Sequence, residues 1–252
     1  MFNLTGKKAL VTGASKGIGR GIALALAEQG ASVAVNYSHS PEEANKVVEE
    51  IRAMGKVAMA VQADVSKSEE VKAMFEGVKN AWGSLDILVN NAGIVTQNPI
   101  EKIVEEEWNR IIDVNLKGQF LCIQNAIPLM KSGSKVVCIS SIASGGVGVG
   151  FGNIAHYAAS KGGVLGMVED LAIEFGKRGI NINAVAPGVI ESDMTMGMLS
   201  DPTTRTGMES RIPKGRVGKP ADIAAAVTFL STDEADYITG TVIYVDGGWL
   251  TN

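Results

Sequence analysis

Cysteine and histidine are scarce in this sequence, with two of each in 252 residues. Cys122 and Cys138 lie in Leu121-Cys122-Ile123 and Val137-Cys138-Ile139, settings for buried free thiols rather than a disulfide framework. His39 and His156 are the only imidazoles, so no ligand cluster for a transition metal appears and no metal is expected. Long runs of one charge are also missing, and a net charge of −4 favours neither nucleic acid nor an anionic membrane surface as partner. The start, Met1 to Lys8, lacks a charged segment followed by an apolar signal core, and no later stretch is apolar for the length of a membrane span. The expected location is therefore the cytoplasm. No linker, solenoid-length repeat or low-complexity segment divides the chain, and one domain over 1–252 is expected.

Glycine, by contrast, is plentiful, and its first cluster is placed with purpose. Thr12-Gly13-Ala14-Ser15-Lys16-Gly17-Ile18-Gly19 follows the apolar run Ala9-Leu10-Val11 and opens into the helical pattern Ile18, Ile22, Ala25, Leu26. That is a strand, a glycine turn and a helix N-terminus in succession. Glycines let the backbone approach a diphosphate, and the helix N–H groups attract its charge. The spacing Gly-x-x-x-Gly-x-Gly fits neither Gly-x-Gly-x-x-Gly nor the P-loop. Taken alone, the cluster is equally a tight turn that binds nothing.

The rest of the chain alternates in the same way. Strands are expected at Ser32 to Asn36 and near Val57 to Val61, Leu85 to Asn90, Lys135 to Ser140, Ile180 to Val185 and Val242 to Val245, with helical segments between them. Pro41 to Met54 reads as a helix with Val47, Val48 and Ile51 inward. Gly55 and Gly83 are helix stops, Asp64 or Ser66 and Pro220 helix starts. This pattern implies an α/β fold: a doubly wound parallel sheet of Rossmann type with helices on both faces. Ligands of such sheets bind outside the carboxyl ends of the strands. Gly13 to Gly19, Asn36 to Ser38, Asp64-Val65, Asn90 to Gly93, Ser140-Ser141 and Pro187-Gly188 all fall on that rim. The glycine-rich run Gly145 to Gly152 reads as a mobile or closely approached loop.

Tyr157-Ala-Ala-Ser160-Lys161 opens a helix that continues through Leu165, Val168 and Ala172, which puts Tyr157 and Lys161 on one side. Tyrosine is a poor acid or base near neutrality, and a nearby ammonium favours its phenolate. Lys161 is therefore expected to make Tyr157 usable in proton transfer. Most Tyr/Lys pairs at this spacing merely support a helix.

Thr12-Gly-x-x-x-Gly17-x-Gly19, Asn90-Asn-Ala-Gly93, Asn115, Ser141, Tyr157-x-x-x-Lys161 and Pro187-Gly188 together resemble the short-chain dehydrogenase/reductase family, in its order and over essentially the whole chain. The resemblance is nearest to beta-ketoacyl-ACP reductases and related carbonyl reductases. It implies that Tyr157 exchanges a proton with the substrate oxygen, that Ser141 hydrogen-bonds that oxygen, and that Lys161 binds the nicotinamide ribose. Asn115 would hold a water linking Lys161 to solvent. The residues alone leave Ser140 and Ser144 as alternatives to Ser141, and Asn115 as a core amide. Gly13, Ser15, Lys16, Gly17, Ile18 and Gly19 would bind the diphosphate side, and Asn36, Tyr37 and Ser38 the adenosine ribose. Asp64 and Val65 would lie against adenine, although Asp64 could equally cap a helix. Asn91, Ala92 and Gly93 would run along the cofactor, and Pro187, Gly188, Ile190 and Ser192 would flank the nicotinamide. Because no carboxylate ends the second strand and Lys16 stands before Gly17, NADP(H) is expected over NAD(H).

The segment from Glu191 to Lys219 resembles a substrate-covering loop, and its methionines suit apolar substrates or packing of the loop itself. Arg178 resembles a cationic position for acyl carrier protein. The companion arginine is missing, with only Lys131 nearby, and the stretch between Ser141 and Tyr157 is long. These departures favour a small-molecule ketone or alcohol, with 3-oxoacyl-ACP reduction as the alternative and a non-enzymatic NADP sensor as a remote one. A homotetramer is implied by the resemblance, and Gly162, Gly163 and Gly166 would permit helix approach between subunits or within one.

Overall fold

The computed structural model describes residues 2–145 and 152–251, so most of the glycine-rich run after Ser144 lies outside the described residues. Its strands are β1 (Lys8–Val11), β2 (Ser32–Tyr37), β3 (Ala58–Gln62), β4 (Ile87–Asn90), β5 (Lys135–Ile139), β6 (Asn181–Pro187) and β7 (Val242–Val245). They form one parallel sheet in the order β3-β2-β1-β4-β5-β6-β7. The helices are α1 (Gly17–Glu28), α2 (Pro41–Ala53), α3 (Ser68–Trp82), α4 (Glu105–Ile112), α5 (Gly118–Ala126), α6 (Ala155–Gly176), α7 (Asp193–Leu199), α8 (Pro202–Arg211) and α9 (Pro220–Leu230).

A strand covered on both faces must be apolar at nearly every position, and here alternate residues feed two cores. Ala9, Val11, Val33, Val35, Ile87 and Val89 pack with Ile22 and Leu26 of α1, Val47 and Ile51 of α2, and Ile223 and Val227 of α9. Leu10, Ala34, Leu88, Val136 and Cys138 turn the other way, onto Met74 and Val78 of α3, Leu121 of α5, and Val164 and Val168 of α6. The expected doubly wound sheet is what forms.

Local chemistry sets the helix ends. Gly55 (φ 74°) follows α2, and Gly83 (φ 73°) caps α3 in the left-handed conformation. Asp64 caps no helix: its Oδ1 accepts from the N–H and hydroxyl of Ser66, and α3 starts later, at Ser68. A π-helical turn, Asp113–Lys117, joins α4 to α5 and carries Asn115. Gly162 and Gly163 serve packing within the chain, since added Cβ atoms would stand 2.6 Å from the Ser144 carbonyl oxygen and 2.7 Å from Leu116 Cδ2. Among the described residues, no helix is long and apolar enough to cross a membrane, and no three His, Cys, Asp or Glu side chains gather to hold a metal ion.

Candidate active site

The strand order reverses at β1, between β2 and β4, and a cavity of about 940 Å³ opens over the carboxyl ends there. The turn after β1 is locked to its neighbours on both sides. Asn36 Oδ1 accepts from the Gly13 N–H at 3.1 Å, and its Nδ2 donates to the carbonyls of Val61 and Ala63 at 3.2 and 3.1 Å. Thr12 Oγ1 accepts the N–H groups of Asn91 and Ala92 at 2.9 and 3.0 Å, while Asn91 Nδ2 returns a bond to the Thr12 carbonyl at 2.9 Å. Gly13 has φ 61°, and a Cβ on Gly19 would lie 2.4 Å from the Gly13 carbonyl oxygen. Side chains are thus excluded where backbone must come closest to a guest. Lys16, Gly17, Ile18 and Gly19 line the cavity, so the positive end of α1 borders it. This cradle fits a dinucleotide diphosphate.

Ser15, Asn36, Ser38, Asp64, Val65, Gly93, Pro187, Gly188, Ile190 and Ser192 also line the cavity. Tyr37 does not. The two-residue period of β2 turns it with Val33 and Val35 into the first core, away from Asn36 and Ser38. Burial raises the Asp64 pKa, but its two bonds from Ser66 and the Lys67 charge outweigh that and hold it below the ordinary value. Lys16 Nζ meets Asp193 Oδ2 on α7 at 2.9 Å, which links the glycine turn to the segment above it. His39 and Ser40 line the same rim and escaped the sequence reading, although they directly follow Ser38.

At the other end, α6 delivers Tyr157 and Lys161 beside the end of β5. Ser140 Oγ donates to the Lys161 carbonyl at 2.9 Å, whereas Ser141 lines the cavity with Tyr157, whose pKa it lowers. Ser144 stays buried outside the cavity lining, so the placement favours Ser141 among the three serines. Lys161 Nζ donates to the Ile139 carbonyl at 2.9 Å and lies 5.7 Å from the Tyr157 ring centre. Desolvation brings the Lys161 pKa down to about 8. Burial raises that of Tyr157, only partly offset by the Ser141 bond. The direction for Tyr157 is opposite to the expected one, because burial outweighs the influence of Ser141.

Asn115 is fully buried and its side chain is committed elsewhere. It donates to the Ile94 carbonyl at 2.9 Å and to Ser160 Oγ at 3.1 Å, and accepts the Ile94 N–H at 2.8 Å. Its side chain therefore fixes the segment after β4. A Cβ on Gly93 would be 3.3 Å from Asn115 Oδ1 and 3.4 Å from Lys161 Nζ, so both groups lie close against this turn.

Above the cavity, α7 and α8 pack through Met198, Leu199 and Met208 onto Ile142, Val189, Ile212 and Trp249. Met194 and Met198 also line the cavity, while Met196 is exposed. The methionines thus divide between packing the segment and facing a guest.

Residues 13–250 match the family model described as Enoyl-(Acyl carrier protein) reductase. The 3-oxoacyl-[acyl-carrier-protein] reductase FabG of Staphylococcus aureus (strain Mu50) is 51% identical over 245 residues, covering 96% of this chain and 97% of its own. The chain belongs to the short-chain dehydrogenase/reductase family. The 3beta-hydroxysteroid dehydrogenase 1 of Eggerthella lenta is 42% identical over 246 residues, 98% of this chain and 94% of its own. Among solved structures, a short chain dehydrogenase from Burkholderia cenocepacia J2315 in complex with NADP superposes with a TM-score of 0.92 at 37% identity, covering 98% of this chain and 99% of that one. As a short-chain dehydrogenase/reductase, the chain is an oxidoreductase acting between C=O and CH–OH groups.

Proposed function

We propose that the chain is an NADPH-dependent 3-oxoacyl thioester reductase whose acyl group is carried on acyl carrier protein. The observation that carries this reading is half-identity to the Staphylococcus aureus FabG along nearly the whole of both chains. It favours the 3-oxoacyl-ACP alternative over the small-molecule ketone or alcohol expected from the sequence. The hydrogen bond from the Gly133 N–H to the Gly179 carbonyl at 2.8 Å brings the loops bearing Lys131 and Arg178 together, and an acidic carrier would dock there, with Lys131 exchanging its 3.9 Å contact with Asp86 for the carrier. The 42% identical steroid dehydrogenase supports a second reading, a small apolar ketone or alcohol facing Met194 and Met198.

The glycine cradle and the α1 N-terminus would hold the cofactor diphosphate, with Lys16, Ser38 and His39 at the rim for a 2′-phosphate and Pro187, Gly188, Ile190 and Ser192 towards the nicotinamide. The bound nicotinamide supplies the hydride. Ser141 donates a hydrogen bond to the substrate carbonyl oxygen and holds it against Tyr157. As negative charge grows on that oxygen, the phenol delivers its proton there. Lys161, still an ammonium below its pKa of about 8, is suited to hold the ribose and to favour the phenolate left behind. Asn115 fixes Ile94 beside them.

The reading carries a cytoplasmic location and a homotetramer with it. Val104, Trp108, Phe120 and Ile173, exposed on α5, on α6 and on or just before α4, supply apolar surface for subunit contact. The test is NADPH oxidation, followed by absorbance, with acetoacetyl-CoA, simple ketones, diketones, keto sugars and a 3-ketosteroid, and with Tyr157→Phe as control. Fast Tyr157-dependent turnover of the thioester is expected. Turnover confined to the small ketones or the steroid would replace this reading with the second, and tight NADPH binding without turnover would indicate a sensor.

A further inference from the structure

Glu107, on the first turn of α4, lies outside the machinery described above, yet four hydrogen bonds converge on it and a fifth passes beside it. Asn98 Nδ2 donates to both its oxygens, at 2.9 and 3.0 Å, and Thr96 Oγ1 donates to Oε1. His156 Nε2 lies 2.8 Å from Thr96 Oγ1 and 3.3 Å from Glu107 Oε1. The imidazole is fully buried, and its Nδ1 makes no hydrogen bond among the described residues. Nε2 is the ring nitrogen aimed at Thr96 and Glu107.

The groups so joined belong to two sides of one cavity. Thr96 and Gln97 line the wall that follows β4, whereas His156 directly precedes Tyr157 on α6. The Asn98 N–H also donates to the carbonyl of Asn153 at 2.8 Å, and Asn153 has φ 62°, a left-handed conformation uncommon outside glycine. Charge-assisted bonds to a mostly buried carboxylate are short and geometrically restrictive. We propose that Glu107 is a positioning residue: through Thr96, Asn98 and His156 it fixes the spacing between the substrate wall at 94–98 and the Tyr157 hydroxyl. The clamp rests on carbonyl reduction at Tyr157 and not on the identity of the acyl carrier. A shift of the wall by a fraction of an ångström misplaces a substrate carbonyl without touching the glycine cradle.

The test is a swap. In Glu107→Gln, an amide donor replaces an acceptor and opposes Asn98 Nδ2. Adding Asn98→Asp restores a donor and acceptor pair in reversed order. The measurements are kcat and KM for acetoacetyl-CoA and ethyl acetoacetate, NADPH affinity by fluorescence, and hydrogen exchange of residues 94–98 and 153–157. We expect Glu107→Gln to lower kcat/KM by roughly tenfold or more, as misplacement of a reacting group does, with NADPH affinity unchanged and exchange in both segments faster. The double variant should recover most of the loss. Thr96→Val, which removes one hydroxyl and keeps the volume, should act in the same direction if Glu107→Gln folds poorly. The proposal is overturned if the single variants leave kinetics and exchange unchanged, if NADPH affinity falls in parallel, or if the swap restores thermal stability but not kcat/KM. If the wild type reduces neither substrate, the carbonyl reading fails with these substrates, while faster exchange in Glu107→Gln and its reversal in the swap still report the clamp.

Discussion

Lys161 Nζ donates to the carbonyl oxygen of Ile139 at 2.9 Å, so a buried ammonium is tethered two residues before Ser141, at the point where β5 ends. The tether has a thermodynamic signature. Desolvation brings the Lys161 pKa to about 8, against 10.5 ordinarily, so above pH 8 the unfolded chain binds a proton that the folded chain has lost. Stability therefore rises with pH through that window. Burial moves Cys138 oppositely, from 9.0 to about 12, and Cys122 in the same direction, so above pH 9 the folded chain retains protons that the unfolded chain loses and stability falls. Between pH 8 and 9 the Lys161 contribution dominates these three. Denaturant midpoints of the wild type should climb there relative to Lys161→Met, and parallel curves for the two would refute the lowered lysine.

Tyr157 and Ser141 should separate chemistry from binding. Tyr157→Phe removes the acid, with an expected loss of about 10²–10⁴ in kcat, the usual span for general acid catalysis. Ser141→Ala removes a donor to the developing oxyanion and should also lower kcat, while relieving Tyr157 of its one pKa-lowering partner. NADPH affinity should stay within about twofold in both, since neither change touches the glycine cradle that supplies the charge-based binding. A matched loss of NADPH affinity, measured by fluorescence titration, would mean that these residues build the cradle instead.

These roles differ in how legible they were. The doubly wound parallel sheet with helices on both faces, and the cavity rim, could be read from buried strands alternating with helices, and Ser141, Tyr157 and Lys161 from motif order, whereas the strand order appears only in the folded chain. Tyr37 was misplaced because three consecutive residues at a strand end look alike until the pleat assigns their faces. The Asn115 amide bonds are long-range, reaching Ile94 and Ser160, and no local pattern announces them. The same holds for Glu107, whose partners are drawn from the segment after β4 and from α6. Its neighbours in Glu105-Glu106-Glu107 read simply as an acidic first turn.

Lys16 tests the cofactor preference. Its present partner is the exposed Asp193, and a pair this open to solvent contributes little to stability. A 2′-phosphate offers more charge at the same rim. Lys16→Ala should therefore reduce kcat/KM for NADPH by about tenfold, the size of one lost charge-assisted bond, with NADH turnover and Tm nearly unchanged. Equal losses with both cofactors would assign Lys16 to the diphosphate or to the segment above it.

Glycine substitutions should divide by what a Cβ would meet. At Gly19 it would lie 2.4 Å from the Gly13 carbonyl oxygen, in the turn after β1, and 2.5 Å from Asn91 Nδ2, which follows β4 and donates to that turn. Neither can retreat without breaking the bonds that shape the cradle, so Gly19→Ala should abolish dinucleotide binding and lower Tm. Gly77 sits exposed in mid α3 with nothing within 4 Å of the added atom. There the substitution only restricts the unfolded chain and improves helix propensity, and Gly77→Ala should stabilise by about 0.5–1 kcal/mol. Calorimetry with NADPH titration reads both variants. A Gly19→Ala protein that still binds NADPH would show that the close approach of Gly19 to Gly13 is dispensable, and that the cradle depends on the Asn36 and Thr12 bonds alone.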